Sequence, residues 1–260
     1  MTLNRYFDNL EPTAEDAEIW RFMPLKYFED LMANEELHFC RADLFRQDET
    51  EGIPPENYVR RVMRLRRFDP TDELELINQM GTLAQDREAF YVSCWHLYRH
   101  ETLEMWQGFA KDGVAIRSQY NLLKSIMESM LDMAHMGLMR YGDKRLYQTG
   151  KVNVLQFINT KRKKFESEQE ARAILWCPDP FDGGNRHFDI NNVPHPRTLP
   201  ENERHHWVAN FKRRRIDTKA LITGVIVSPF AETEVYEKAR QWVEVRKHSY
   251  SVERSALAIP

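Results

Sequence analysis

The chain has 260 residues, of which 42% are hydrophobic and 30% charged, and its formal net charge is −3. This length fits one large domain or two small ones and is ample for a hydrophobic core. The small net charge excludes the strongly basic composition with which whole proteins bind polyanions, although basic residues cluster locally.

The three cysteines form no CxxC pair, and their odd number argues against a disulfide framework. The first residues carry neither the basic region nor the apolar region of a signal peptide. No apolar run reaches the roughly 18 to 20 residues that cross a bilayer. We therefore expect a cytoplasmic protein with no membrane partner.

The first third of the chain predicts a strand, helix and strand followed by two further helices. Apolar spacing gives a strand at 19–23, a helix at 25–34, a strand at 37–41, an acidic turn-like segment at 44–55, and helices at 57–68 and 71–88. In the last helix, Thr71 is the expected N-cap and Leu74, Ile77 and Leu83 form the expected apolar stripe.

The block 91–116 is the part of the sequence that most strongly indicates a shaped, buried wall. It opens as a strand with Tyr91, Ser93 and Trp95 on one face, and it restarts as a strand at 114–116 after Asp112-Gly113. Between them lies a helix whose large apolar residues are Leu103, Met105, Trp106 and Phe109. We expect this block to form the floor of a site.

The rest of the chain predicts alternating helices and strands without βαβ regularity. Asn121 is the expected N-cap of a helix to about residue 138, in which Met127, Met130, Met133 and Met136 are expected to pack in the core. The remaining expected elements are a strand pair around 142–143, a helix at 154–165, a strand at 171–176, a long loop that could act as a lid at 178–200, an exposed basic strand at 206–216, a strand at 221–227, a helix at 232–247 and a strand at 251–259. This order predicts a single α+β domain over 1–260, with a mixed, mostly antiparallel sheet and packed helices.

Three carboxylates crowd the segment before the strand at 171–176. Glu166, Glu168 and Glu170 are spaced by two residues and Arg172 continues the row, so an extended backbone places all four on one side. A Glu-x-Glu at a strand entrance is used to hold a ribose hydroxyl and to stabilise an oxocarbenium ion. The alternative is a solvated, charged strand edge.

Other strand residues could bind a nucleotide. Ser93 could hydrogen-bond a ribose and Trp95 could stack on a ring, whereas the alternative is a core strand with one small polar residue. A strand arginine such as Arg21 can bind a diphosphate with its planar fork. The alternative for Arg21 is a surface salt bridge.

Two basic clusters indicate a binding surface for nucleic acid or a protein partner, or simply solvated faces. The first cluster, on a predicted helix, consists of Arg60, Arg61, Arg64 and Arg67, and the second, on a predicted strand, of Lys212, Arg213, Arg214 and Arg215. A non-catalytic binding module is therefore one alternative function.

A metal-dependent hydrolase or nuclease is a second alternative, with Asp48, Glu51, Glu168 and Glu170 as its acidic residues. The corner that contains Asp48 and Glu51 lacks the ordered spacing of a calcium loop. We therefore predict no metal site.

Taken in order, these motifs resemble a widespread bacterial domain family of unknown function over about residues 18–258. The shared segments are Trp20-Arg21-Phe22, the corner Phe45, Asp48 and Glu51, the pair Ser93 and Trp95, Met105-Trp106, Gly113-Val114-Ala115-Ile116, and Glu168, Glu170 and Arg172. Arg46-Gln47 departs from the usual Phe-Asn-Asp pattern of the corner.

The same order is also remotely similar to the ADP-ribosyltransferase fold, in which Arg21, Ser93 and Glu170 would correspond to the strand residues of the site. The resemblance implies NAD as substrate and a toxin or defence effector that modifies nucleic acid or protein. Arg21 would bind the diphosphate, Ser93 would contact the nicotinamide ribose and Trp95 would pack on the nicotinamide. Glu170 would stabilise the transition state and Glu168 would orient the acceptor.

Overall fold

The computed structural model describes residues 11–45, 48, 51–65, 67–97, 101–130, 133–142, 157–177 and 210–258. The predicted loop at 178–200 lies outside these residues. The strands are β1 (Glu18–Pro24), β2 (Glu36–Arg41), β3 (Phe90–His96), β4 (Gly113–Gln119), β5 (Met133–Leu138), β6 (Arg140–Tyr141), β7 (Thr160–Lys161), β8 (Glu170–Trp176), β9 (Phe211–Arg215), β10 (Gly224–Val227) and β11 (Val252–Arg254). The helices are α1 (Leu25–Asn34), α2 (Glu56–Leu65), α3 (Glu73–Gln85), α4 (Leu103–Phe109), α5 (Tyr120–Ser129), α6 (Thr218–Leu221) and α7 (Thr233–Val245).

The main sheet forks at β3. One edge of β3 pairs along its whole length with β8, which in turn pairs with β5. The other edge of β3 pairs with β1 at His96 and with β2 at Tyr91 and Val92. One branch then runs β1–β4–β10–β11 and the other runs β2–β9. The fork leaves an opening between β1 and β2.

Most strand pairs are antiparallel, and the described parallel pairs are β10 with β11 and β6 with β7. The α+β class with a mixed, mostly antiparallel sheet is therefore confirmed. No helix within the described ranges is long and apolar enough to cross a membrane.

The two faces of the sheet are covered differently. On one face, Tyr91 and Trp95 of β3 join a large core with residues of α1, α5 and α7. On the other face, α4 packs its Trp106 against Trp20 and Phe22 of β1. Because α4 covers only the β1 branch, the region of the fork on this second face is left open beside it.

One expected helix is wrong in its second half. The helix α5 begins at Tyr120 after Gln119 and ends at Ser129, and β5 follows it. Met136 lies opposite Ala173 of β8 and is buried, as Met127 of α5 is. The core role predicted for these two methionines is confirmed. Strand pairing with β8 overrides a spacing of methionines that also fits a helix.

Of the helix expected at 154–165, only Phe157 and Ile158 are helical among the described residues. The chain forms β7 and then a 3₁₀ helix at Lys163–Glu168, while residues 151–156 lie outside the described residues. Gln169 adopts the left-handed conformation with φ of 39°. Glu166 and Glu168 therefore do not lie on the strand that Glu170 begins, contrary to the expected period-two row.

The helix α3 presents a different face from the predicted one. Leu76 is buried against α2, whereas Leu74 and Ile77 are 70% and 65% exposed. Its N-cap is Asp72, whose carboxylate accepts hydrogen bonds from the backbone N–H groups of the first turn, and not Thr71. The side chain of Leu83 lies outside the described residues.

Candidate functional site

The fork of the sheet opens into a cavity of about 410 Å³. Side chains from β1, β2, β3 and β8 line it, and Phe109 at the end of α4 forms part of its wall. The strands β1 and β2 each pair with only part of the same edge of β3. They therefore do not pair with each other, and the gap between them forms the cavity.

Successive side chains of β3 point to opposite faces of the sheet, so only every second side chain lines the cavity. His96 and Cys94 point into it and lie opposite Glu170 and Arg172 of β8, which share the same face. The central walls are therefore built by cross-strand pairs of polar residues on an otherwise apolar sheet.

Ser93 and Trp95 lie on the opposite face of β3, in the main core. Trp95 is fully buried and its indole N–H donates to Ser93 Oγ at 3.2 Å, while Ser93 is 1% exposed. Neither side chain lines the cavity. The roles that the resemblance implied for them are corrected, because a strand with period two presents Cys94 and His96 to the site instead.

Glu170 and Arg172 are the centre of a buried ion cluster. Arg172 donates to both carboxylate oxygens of Glu170, at 2.8 and 3.0 Å, and forms an ion pair with Glu51. Its remaining terminal nitrogen donates to the Ile158 carbonyl at 2.6 Å. Buried charges persist only when they are paired and hydrogen-bonded in this way.

Lys161 of β7 connects the three carboxylates of the cluster. Its Nζ lies 2.6 Å from Glu168, 3.5 Å from Glu170 and 3.8 Å from Glu51. With Arg172 the cluster contains three carboxylates and two cations, so it carries one excess negative charge.

The pKa values of the two glutamates move in opposite directions. Burial alone would raise the pKa of Glu170, but the charge and hydrogen bonds of Arg172, with help from Lys161, lower it to about 2. Burial raises the pKa of Glu168, and the bond from Lys161 offsets this only in part. The side chain of Glu168 is 15% exposed, against 3% for Glu170, so Glu168 is the carboxylate that a ligand or a proton can reach.

His96 and Cys94 are uncharged walls of the cavity. Burial lowers the pKa of His96, although its Nδ1 hydrogen-bonds to the Glu168 carbonyl oxygen at 2.9 Å. Burial and the neighbouring Glu170 carboxylate raise the pKa of the Cys94 thiol well above its usual value. A thiol held protonated is a poor nucleophile.

Arg21 occupies the fork itself. Its Nη2 donates to the His38 carbonyl at 3.1 Å and its guanidinium carbon lies 5.9 Å from the Trp95 ring centroid. Among the described residues, no carboxylate lies within ion-pair distance of Arg21, which therefore differs from Arg172. Desolvation lowers the pKa of Arg21 to about 10, so it remains a cation at neutral pH.

Arg21 is half-buried, so its charge is partly shielded from water, and a bound anion would compensate it. The surface salt bridge considered for Arg21 from the sequence is absent from the described part of the chain. The cavity therefore has an anion-seeking group on the β1 wall and an acidic cluster on the β8 wall.

The two carboxylates of the acidic corner, Asp48 and Glu51, bind different cations. Glu51 belongs to the ion cluster, whereas the buried Asp48 pairs with Arg162 at 2.9 Å and accepts from its backbone N–H at 3.3 Å. Within the described residues, no group of three or more His, Cys, Asp or Glu side chains converges as metal ligands would. Lys161 lies between the carboxylates that a hydrolase would need for a metal.

The two basic clusters lie on α2 and on β9. Arg60 already binds Glu56 and Glu73, each at 2.7 Å, and donates to the Pro70 carbonyl. Arg61 and Arg64 lie on the same helix, and Arg67 follows it with a positive φ of 64°.

The strand β9 pairs with β2 and is the last strand of its branch among the described residues. Arg213 pairs with Asp30 at 3.2 Å, and the Lys212 ammonium lies 5.2 Å from the Tyr91 ring centroid. Arg214 and Arg215 complete the strand. Neither basic cluster contributes to the lining of the 410 Å³ cavity.

Several residues of this site were missed by the reasoning from sequence. Lys161, His38, Cys40 and Cys94 line the cavity, and none of them was assigned a role from the sequence. The alternation of side chains along a strand could have identified Cys94 and His96 as site residues. If Ser93 and Trp95 face the core, then Cys94 and His96 must face the opposite side of the sheet. No local signal indicates that Lys161 contacts Glu51, since 110 positions separate them in the sequence.

Comparisons of the chain with protein-family models, with curated proteins and with solved structures found no match. The class of site is therefore defined by its geometry: an α+β fold whose forked sheet holds a cavity with a half-buried arginine, Arg21, and an acidic cluster.

Proposed function

We propose that the protein is an NAD-dependent ADP-ribosyltransferase-like enzyme, and that the cavity at the fork binds the dinucleotide. The observation that carries the proposal is Arg21, a half-buried cation with no carboxylate partner among the described residues, which shares one cavity with Glu168 and Glu170. A diphosphate would supply the negative charge that Arg21 lacks. This proposal takes Arg21 and the two glutamates from the resemblance and leaves out Ser93.

The acidic cluster supports the chemistry of the proposed reaction. The bond between C1′ of the ribose and the nicotinamide nitrogen breaks, and nicotinamide leaves with the electron pair. The positive charge that develops on the ribose faces a cluster with one excess negative charge, and fixed charges placed where charge develops stabilise a transition state.

Glu168 is suited to the proton-transfer part of the reaction. The acceptor forms a bond to C1′ and must lose a proton, and a carboxylate of raised pKa is a better base than one of lowered pKa. Glu170 contributes fixed charge, because Arg172 holds both of its oxygens. Phe22, Phe45 and Phe109 supply apolar walls for the planar nicotinamide ring.

We also propose a cytoplasmic location, as a toxin or defence effector acting inside a cell. The three cysteines, Cys40, Cys94 and Cys177, are all free thiols, which fits a reducing compartment.

Calorimetric titration with NAD tests the binding part of the proposal. We expect the wild-type protein to bind NAD and Arg21→Gln to bind roughly 10- to 100-fold more weakly, because a charged hydrogen bond contributes about 1.5–3 kcal/mol. The matched control is Arg117→Gln, since Arg117 lies on the neighbouring strand β4 and pairs with Glu253 outside the cavity.

Thermal melting of each variant separates a loss of binding from a loss of fold. Equal NAD affinity in Arg21→Gln and the wild type would contradict the assignment of the diphosphate to Arg21. No NAD binding by the folded wild-type protein would contradict the proposed function itself.

A further inference from the structure

A second cavity, of about 310 Å³, adjoins the first on the side of α1. It shares Arg21, Phe22, His38 and Phe109 with the first cavity. A molecule bound in the second cavity would therefore meet a ligand of the first cavity at Arg21.

The second cavity adjoins a row of three aromatic rings: Tyr27 of α1, His38 of β2 and Phe211 of β9. The rings of Tyr27 and His38 are inclined by 28°, and those of His38 and Phe211 lie 4.9 Å apart and are inclined by 33°. Tyr27 and Phe211 are 52% and 45% exposed. Burial and the charges of Arg21 and Arg213 lower the pKa of His38 to about 4, so the row is uncharged at neutral pH.

Charged groups are arranged around this row. Asp30 and Glu36 line the second cavity, and carboxylate oxygens accept hydrogen bonds from amino groups. One oxygen of Asp30 already accepts from the Asn34 amide at 2.8 Å. Cations lie at the two ends of the row: Lys26 Nζ is 4.9 Å from the Tyr27 ring centroid and the Arg213 guanidinium carbon is 5.4 Å from that of Phe211. Arg213 also pairs with Asp30 at 3.2 Å and with Glu36 at 3.8 Å.

We propose that this surface binds single-stranded nucleic acid, with one base stacked against Tyr27 and His38 and its amino group toward Asp30 or Glu36. Exposed rings stack on bases of any sequence, and flanking cations bind the backbone phosphates. A duplex keeps its bases stacked inside, so it cannot offer them to this row.

The role as acceptor rests on the proposed function, whereas the binding itself does not. In the transfer, nicotinamide leaves C1′ of the NAD ribose with the bonding electron pair as a nucleophilic nitrogen or oxygen of the base forms its bond to C1′. The proton of that nucleophile passes to Glu168. The surface therefore assigns nucleic acid, and not protein, as the acceptor class.

Fluorescence anisotropy with short labelled single-stranded DNA and RNA, in the absence of NAD, tests this proposal. We expect Tyr27→Ala to weaken binding by roughly 5- to 100-fold, because stacking on one ring contributes about 1–3 kcal/mol per base. Tyr27→Phe keeps the ring and should bind as the wild type does. The matched control is Phe68→Ala, because Phe68 is a 44% exposed ring that lines neither cavity.

Three results would overturn the proposal: no binding by the wild-type protein, unchanged binding by Tyr27→Ala, or equal binding of an unlabelled duplex in competition. Transfer of label from NAD to protein but not to an oligonucleotide would overturn the acceptor assignment. If oligonucleotide binding depends on Tyr27 but no nicotinamide is released from NAD, the binding surface is supported and only the proposed enzymatic function is rejected.

Discussion

At the scale of single residues, the same side chain acquires different chemistry from its surroundings. Glu168 and Glu170 are two positions apart, yet the first lies at the end of a 3₁₀ helix and the second begins β8. Arg172 binds Glu170 through both oxygens, whereas Glu168 is bound by Lys161 and remains partly exposed. The Glu170 carboxylate is therefore held rigidly within the ion cluster, and the Glu168 carboxylate is available for proton transfer.

Glu170→Gln should destabilise the protein in a pH-dependent way. At pH 7 we expect a loss of about 3–5 kcal/mol in the free energy of unfolding, because Arg172 and Lys161 lose a buried partner. The pKa of Glu170 is about 2 in the folded protein, against an ordinary value of 4.5. Its stabilisation is therefore fully present above pH 4.5 and is lost as the pH falls from 4.5 towards 2.

Denaturant unfolding of wild type and variant at several pH values checks this expectation. The difference between the two should shrink below pH 4.5, where the unfolded carboxyl becomes protonated. Glu166→Gln is the control and should have little effect at any pH, because Glu166 is exposed. A difference that stays constant down to pH 2 would show that the charge of Glu170 is not what stabilises the fold.

At the scale of elements, α4 is the support of the cavity wall. Trp106 is fully buried, its ring lies 4.8 Å from that of Phe22 at 82°, and its indole N–H donates to Glu101 at 2.8 Å. Phe22 and Phe109 both line the cavity, so the packing of Trp106 fixes the wall without contacting a ligand.

Trp106→Ala should lower the free energy of unfolding by about 3–5 kcal/mol, because it leaves a large hole between α4 and β1. Chemical denaturation measures the effect. Trp106→Phe, which refills part of the volume and loses the bond to Glu101, should cost distinctly less. A loss below about 1 kcal/mol for Trp106→Ala would contradict the supporting role of α4.

The sequence predicts some elements well and others poorly, for physical reasons. The strand that contains Tyr91 and Trp95 follows from side-chain alternation, and the helix that contains Trp106 follows from its large apolar residues and the break at Asp112-Gly113. Both are confirmed. The strand β5 could not be predicted, because its burial depends on pairing with β8, some 37 positions later in the sequence. The 3₁₀ helix before β8 could not be predicted either, because its charged residues fit a strand edge as well as a short helix.

At the scale of the whole molecule, the site depends on the fork of the sheet. Pairing β1 and β2 to different parts of β3 brings Arg21, His38 and Cys94 to one cavity, and β7 and β8 add Lys161 and Glu170. Motif order suggested Arg21 and Glu170 as site residues, and both line this cavity. It could not place Ser93, because only the three-dimensional packing decides which face of β3 is core.

The release of nicotinamide from NAD, measured by chromatography, tests the central claim most directly. We predict release by the wild-type protein with a single-stranded acceptor, and a fall of about 100-fold or more in Glu168→Gln, the typical effect of removing a general base. Glu166→Gln and Ser93→Ala should retain the activity, because neither side chain lines the cavity. No release by the wild-type protein, or full activity in Glu168→Gln, would contradict the account.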